Sequence, residues 1–508
     1  VAPDHPSLVA RKTQGTPKQR TYTVINGIAP PVVFSAYNND FNALERAVKE
    51  RVFFVKGEDG AFVAPPRPLT PVIFSDRLFN FKRKLVRHLP STVPITSQQF
   101  VDTYVGRKRV VYQQAADSLD VIPLRRKDSY VKTFVKYEKT NFTSKIPVPR
   151  VISPRSPRFN VEIGKFIRPI EERIFKAIGN VMGADTVMKG MNATQMASAI
   201  RRKWNRFLDP VAVGGDASRF DQHVSIDALR WEHGIYAECF PTGRHRRRLE
   251  WLLAMQLRNK CFGTVGDGTV EFTTEGVRMS GDMNTSLGNV VIMCSMVGAY
   301  AESVDVDIEL VNNGDDCVFI MEREDYDLFS IGLTKWFREM GFTMIVEEPV
   351  DTFEQIVFCQ TQPVWVGPGP DDYLMVRDPR VAIPKDSFSV HVLRNQKEVR
   401  GWMKAVGTGG EALTGGIPVW QEFYRMYQKS AGDVRATRER DAFGWGVRQL
   451  CKGNKRVFGE VLPKTRASFC YAFGISPEEQ MCIERHYSLC GVALEPHENV
   501  ARYVTLPF

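Results

Sequence analysis

Residues 312–317 read NNGDDC and set two adjacent carboxylates, Asp315 and Asp316, at a tight turn between apolar segments. Neighbouring carboxylates repel one another. Drawing them out of water costs more, unless a cation or strong donors offset the charge. Taken alone, the stretch is a solvated hairpin turn, because Asn, Gly and Asp are the residues turns favour. Beside a cation it becomes half of a metal site.

Two further stretches bear on that choice. In GGDASRFD, Asp216 closes an apolar strand and Asp221 lies five residues on; in SGDMNTSLGN, Ser280, Gly281, Thr285 and Asn289 sit at a loop-to-helix junction. An Asp ending one strand and an Asp at a neighbouring hairpin tip can converge on a shared pair of cations. Carboxylates from two strands, completed by substrate phosphates, are the ligand set Mg²⁺ favours. Two such ions clamp the attacking and leaving oxygens of an in-line phosphoryl transfer. Each piece is weak alone; their order along the chain is specific.

The elements that must position these residues follow from periodicity. The chain has 508 residues, 43% hydrophobic and 25% charged, with a net charge of +10 that favours a polyanionic partner. The longest apolar run, NVVIMCSMVGAYA, is too short to span a bilayer, and no signal peptide is found. Nine scattered cysteines suit reduced thiols in a cytosolic setting. The chain opens on Val1, which fits a processed product, a translational extension of an upstream protein or a shortened chain alike. Between Lys82 and Arg158, Lys and Arg interleave with Phe, Tyr, Val and Ile, as in strands lining a basic groove. Helices are expected from about Glu162 to Phe207 and through DALRWEHGIYAECF and RRRLEWLLAMQLRNK. A hairpin follows in CFGTVGDGTVEFTTEG, then a helix from MNTSLGN, strand–turn–strand around GDD, an amphipathic helix ending at Gly341, and strands in FTMIVEE and QIVFCQTQPVWV. Beyond about Gly367 the chain is mostly helical. This is an α+β pattern without regular βαβ alternation.

Taken together, VKYEK with PRVISPRSPRFN, GGDASRFDQHVS, SGDMNTSLGN, NNGDDC, and GFTMIVEEPV followed by IVFCQ resemble, in order, the finger motif and palm motifs A to E of a known family. The chain resembles the RNA-dependent RNA polymerases of positive-strand RNA viruses, most closely the tombusvirus-like (Tombusviridae) plant virus replicases. The resemblance implies a right-hand fold of fingers, palm and thumb, the palm built on a small antiparallel sheet flanked by helices. It implies an N-terminal extension over residues 1–90 that bridges fingers and thumb, and fingers with a basic nucleotide tunnel over 91–205. Palm motif A falls at 206–222, finger and palm helices at 223–270, palm motifs B to E at 271–365 and a helical thumb at 366–508. Asp216 and Asp315 would be the main ligands of two Mg²⁺ ions, replaceable by Mn²⁺, with Asp316 beside them. Asp221 and Asn289 would read the ribose 2′-hydroxyl, supported by Ser280 and Thr285, while Gly281 lets the backbone approach the template. Lys136 and Arg150 would steer the triphosphate, Arg155 and Arg158 would line the same tunnel, and Lys335 is a candidate to protonate pyrophosphate. Single-stranded viral RNA, product RNA and ribonucleoside triphosphates are the implied partners. A viral auxiliary replicase protein would supply membrane anchoring, at replication complexes in the host cytoplasm.

Other signals are discounted. Cys482, His486 and Cys490, with Cys470 upstream, could form a zinc site, but structural zinc spacings are tighter. GTGGEALTGG lacks the Lys-Ser/Thr of a phosphate loop. A reverse transcriptase shares the palm, yet Asn289 argues against it. An RNA-binding scaffold would have no use for so many convergent carboxylates, and a metal-dependent nuclease would not need the ribose-reading Asn289.

Overall fold

The computed structural model describes residues 2–25, 33–241, 243–438 and 442–492, together with the backbone of His497–Val500. It is a mixed assembly of helices and small sheets, mostly antiparallel. The central sheet comprises β1 (Pro210–Ala217), β2 (Glu309–Asn313), β3 (Asp316–Glu322) and β4 (Met344–Val346), in the spatial order β2-β3-β1-β4 with every neighbour antiparallel. Three helices belong with it: α1 (Ile226–Glu238), α2 (Thr285–Ser303) and α3 (Tyr326–Glu339).

Side chains alternate across a strand, so each strand serves two faces. Val211, Val213, Cys317, Phe319 and Met321 enter one core with α1, α2 and α3, whereas Ala212, Val311, Val318 and Ile320 enter a second core shared with the C-terminal half. Burial on both faces accounts for the nearly continuous apolar runs of β1, β2 and β3. Helix α2 is apolar around most of its circumference because most of it is buried. Among the described residues, no helix is long and apolar enough to cross a membrane.

A second sheet is built on the hairpin Arg258–Val265 and Gly268–Glu275, flanked by Leu8–Lys12 and, in parallel, by Val131–Lys132. The N-terminal segment then runs on to pair Thr21–Val24 with Phe388–Ser389. One short stretch of chain therefore ties the hairpin sheet to the C-terminal half. Cys239, Cys261, Cys294, Cys317, Cys359, Cys470, Cys482 and Cys490 carry free thiols.

Several expectations are refined. The helical region before Asp216 is three helices, Pro157–Ile167, Glu171–Met182 and Ala193–Trp204, separated by loops. The run RRRLEWLLAMQLRNK is helical only to Ala254 and becomes a strand at Arg258. QIVFCQTQPVWV is broken at Cys359 and Gln360, both at positive φ, and only Thr361–Trp365 is a strand. Most of GTGGEALTGG is helix: a β-carbon on Gly410 would collide with the Tyr424 ring, and one on Gly407 would lie 2.9 Å from the Tyr424 carbonyl. Those glycines let two helices approach closely.

Gly215 has the same kind of role in β1. A β-carbon there would lie 2.5 Å from the Phe319 ring and 3.2 Å from the Met344 sulfur. We expect Gly215→Ala to cost about 1–3 kcal/mol by overpacking, seen as a lowered midpoint in urea unfolding. An unchanged midpoint would show that the sheet relaxes freely.

Candidate active site

The register of β1 against β3 brings the three aspartates together. Asp216 stands opposite Asp316, and Asn313 also stands opposite Asp316, so Gly314 and Asp315 are the two residues of the β2–β3 turn. Gly314 carries a φ of 86°, as a two-residue hairpin with Gly at its first central position requires. Asn312, wholly buried, fastens this turn: its Oδ1 accepts from the Gly314 N–H at 3.0 Å and its Nδ2 donates to the Gly314 carbonyl at 2.7 Å. Asp216 and Asp315 are exposed at the sheet edge, while Asp316 is half-buried and accepts from the Cys359 N–H at 2.9 Å. The positive φ of Cys359 aims that N–H at the carboxylate.

Burial, and then the Asp315 charge, raise the Asp216 carboxyl above its ordinary value. Burial pushes Asp316 up further, to about 6; the Cys359 N–H opposes the rise and Asp315 adds to it. Like charges are thus gathered without protein cations to neutralise them fully. Among the described residues, no three His, Cys, Asp or Glu side chains form a ready metal cage. A pair of exposed carboxylates with a third behind them is instead the donor set for an ion that completes its shell with water and substrate phosphate.

Asp221 follows in the short helix Phe220–His223. The Asn289 Nδ2, on the first turns of α2, donates to Asp221 Oδ1 at 2.8 Å. The orientation of that amide is enforced from behind. Arg278 Nε donates to Asn289 Oδ1 at 2.9 Å, and a guanidinium can only donate, so the amide nitrogen must face Asp221. Arg278 is held in turn by Glu232 of α1 through hydrogen bonds of 3.0 and 2.5 Å, with both side chains essentially out of solvent. Tyr236 and Asn284 donate to the same carboxylate at 2.5 and 3.1 Å. Burial lifts the Asp221 carboxyl, and the Asn289 amide and the Arg278 charge pull it back. A hydroxyl brought to this pair could accept from the amide and donate to the carboxylate.

The remaining residues of the α2 entrance lock the loop. Ser280 Oγ donates to the Val151 carbonyl at 3.0 Å, and Thr285 Oγ1 donates to the Met279 carbonyl at 2.8 Å. A β-carbon on Gly281 would lie 2.5 Å from Pro154 Cα, so its close approach is to the protein's own basic segment. That segment places Lys136 and Arg150 side by side, the Lys136 N–H donating to the Arg150 carbonyl at 2.8 Å. Glu138 pairs with both side chains, at 2.8 and 3.5 Å.

Two expected tunnel residues spend their donors within the protein. The Arg155 guanidinium is 1% exposed and spends its donors on Asp282, Asn259 and the Ser129 carbonyl, with none left for a triphosphate. Arg158 is likewise committed to Asp128, Ser118 and the carbonyls of Ile122 and Pro123. Lys335 is 81% exposed on α3, and its ion-pair partner is Glu339, at 3.9 Å. Cys490 lies beside His486, but no three-residue metal group includes them among the described residues.

Two further arginines, Arg51 and Arg219, gather near Arg150. Arg219, at a φ of 48° two residues after β1, donates to the Glu50 carbonyl. Arg51 donates to the Val148 carbonyl at 3.0 Å. Burial pulls the Arg51 guanidinium down to about 10, and the nearby charges of Arg219 and Arg150 reinforce the fall. A cluster of mutually repelling guanidiniums, only partly offset by Glu50 and Glu138, has the chemistry to receive an anion. No local motif marks Arg51. Glu232 and Arg278 did leave a signal: Glu232 falls three and four residues from Leu229 and Ala228 on the buried stripe of α1, where an unpaired carboxylate would be costly.

A family model described as viral RNA dependent RNA polymerase matches residues 8–495. The chain belongs to this family. It is 48% identical over 502 residues to the RNA-directed RNA polymerase of Oat chlorotic stunt virus (isolate United Kingdom), which covers 96% of this chain and 66% of that protein. The corresponding protein of Tobacco necrosis virus (strain A) is 41% identical over 485 residues, 95% of this chain and 66% of its own length. That of Turnip crinkle virus is 38% identical over 489 residues, 95% of this chain and 62% of its own. The chain spans between about half and slightly less than two thirds of the length of the curated relatives it matches.

Arg278→Leu strands the Glu232 carboxylate and should cost about 3–5 kcal/mol; calorimetric or urea unfolding of the purified variant measures it, and a loss under about 1 kcal/mol would refute the pairing. Divalent-cation binding requires ionised carboxylates. Asp316 takes up a proton as the pH falls through about 6, so Mn²⁺ affinity measured by titration should drop there. Flat affinity from about pH 7 to about pH 5 would remove Asp316 from the cation's environment.

Proposed function

We propose that this chain synthesises RNA from ribonucleoside triphosphates on a single-stranded viral RNA template, as the catalytic part of a replicase. One observation carries the reading: the Asn289 amide, oriented by Arg278, sits on Asp221 next to the Asp216–Asp315 carboxylates. A hydroxyl reader beside a cation site is what selection of ribonucleotides during phosphoryl transfer needs.

In this reading the central sheet with α1, α2 and α3 is the palm. The hairpin sheet and the basic segment belong to the fingers, and residues 366–508 form the thumb. Residues 1–90 bridge the two, a role supported by the pairing of Leu8–Lys12 with the hairpin and of Thr21–Val24 with Phe388–Ser389. Asp216 and Asp315 would hold divalent ions, Mg²⁺ or Mn²⁺, with Asp316 anchored behind them on Cys359. When bound, such ions supply activation of a hydroxyl nucleophile and neutralise charge developing on phosphate. The protein's own part is positioning. Arg150, Lys136, Arg51 and Arg219 offer donors to a triphosphate, Asp221 and Asn289 take its ribose hydroxyl, and the buried network behind them resists reorganisation. The exposed position of Lys335 gives no support to a role in protonating pyrophosphate. A viral auxiliary protein that anchors the complex to host cytoplasmic membranes is proposed from the family resemblance alone.

Incorporation of labelled ribonucleotides on single-stranded RNA with Mg²⁺ or Mn²⁺ tests the proposal. Template-length product is expected, with loss by roughly a thousandfold in Asp315→Ala. Tight RNA binding without product, even from an annealed primer, would favour a binding scaffold instead. Asn289→Ala should lower the preference for ribo- over deoxyribonucleotides roughly tenfold, measured as the ratio of kcat/KM values. An unchanged ratio would remove Asn289 from sugar selection.

A further inference from the structure

The guanidinium cluster gathers near Arg219, in the loop that follows β1 on one side of β3. On the other side, at the free edge of β2, the fold holds a single lysine against the catalytic turn. Residues 183–192 run along that edge: Val187 bridges Asn312 in parallel register, the Met188 N–H donates to the Asn312 carbonyl and the Asn312 N–H to the Thr186 carbonyl, both at 2.9 Å. The loop is clasped from outside as well. Gln449 Nε2 donates to the Gly190 carbonyl at 2.5 Å, and Asn192, which caps the helix Ala193–Trp204, donates to the Lys452 carbonyl at 2.8 Å. Between these two sets of bonds sits Lys189.

The Lys189 ammonium lies 3.6 Å from the point a β-carbon would occupy on Gly314. It is half-buried, and Asp315 is the foremost acidic charge acting on it. It nevertheless makes no hydrogen bond and no ion pair with another described residue. Three donors are thus held in a rigid frame beside the GDD turn without a protein acceptor. Such an arrangement suits an anion that arrives from outside.

In-line displacement places the attacking and leaving oxygens on opposite sides of phosphorus. If the triphosphate lies toward Arg51, Arg150 and Arg219, the nucleotide bearing the attacking 3′-hydroxyl comes from the β2 side. Its own 5′-phosphate is the anion nearest to that hydroxyl. We propose that Lys189 binds the backbone phosphate of the 3′-terminal nucleotide of the growing strand and so positions its hydroxyl at Asp315. This rests on the polymerase reading above. Lys189 is a positioning residue for the nucleophile strand, distinct from the cations assigned to the incoming nucleotide.

The test is primer extension with the full chain, comparing the parent, Lys189→Ala and Lys189→Arg. Each is run on a normal primer and on one whose last internucleotide linkage is a neutral methylphosphonate. Lys189→Ala should raise the KM for primer–template roughly tenfold and leave the KM for the nucleotide unchanged, with Lys189→Arg recovering most of the loss. In the parent, which needs no mutation to report, the methylphosphonate should cause a comparable loss; in Lys189→Ala it should add little. Equal use of both primers by the parent would overturn the proposal, as would a Lys189→Ala defect confined to nucleotide or Mn²⁺ dependence, the sign of a mere counter-ion to Asp315. A parent that extends no primer would sink the polymerase reading itself, a result separable from equal use of two primers.

Discussion

Three carboxylates held within reach of one another, against their mutual repulsion, are the constraint on which the rest of this structure depends. Nothing in Asp216, Asp315 or Asp316 favours that proximity. It is imposed by the antiparallel register of β1 on β3, which is fixed by apolar side chains committed to opposite cores on the two faces of the sheet. A slip of one residue would exchange the faces and bury the aspartates. The favourable free energy of the two cores therefore offsets the electrostatic cost at the sheet edge, and that cost leaves the site ready to accept cations.

A second buried ionic group serves precision more than cohesion. The Arg278–Glu232 pair is out of solvent and fully hydrogen-bonded, at a desolvation cost that apolar residues would avoid. What it provides is orientation: it fixes which end of the Asn289 amide meets Asp221. Tyr236 and Asn284 saturate the carboxylate, so the network has little freedom to rearrange. An amide–carboxylate pair on a flexible loop would lack that rigidity.

Close backbone approaches join the parts. Gly281 against Pro154 and Ser280 on Val151 bring the start of α2 to the basic segment that carries Lys136 and Arg150. The loop at 183–192 has the same relation to β2 and to the helix Trp445–Cys451, so the Gly314–Asp315 turn is braced from the C-terminal half as well. These contacts link segments separated by more than a hundred residues.

The sequence alone was enough to place the central strands, the helix after Asn284, the turn at Gly314–Asp315 and the aspartates, because local chemistry governs each. Period-two apolar runs, a helix-entry loop and turn-forming residues leave marks within a few positions of themselves. Arg150 and Lys136 were legible as part of an alternating basic segment. The fates of Arg155 and Arg158 were not, since whether an arginine faces a groove or a buried aspartate depends on what the fold brings opposite it: Asp282 for one, Asp128 for the other. For the same reason Arg51, Glu232, Arg278 and Lys189 acquired their places only in the tertiary structure. A charge gains its meaning from partners distant in sequence, and Coulomb energy and desolvation depend on distances in space that sequence separation does not encode.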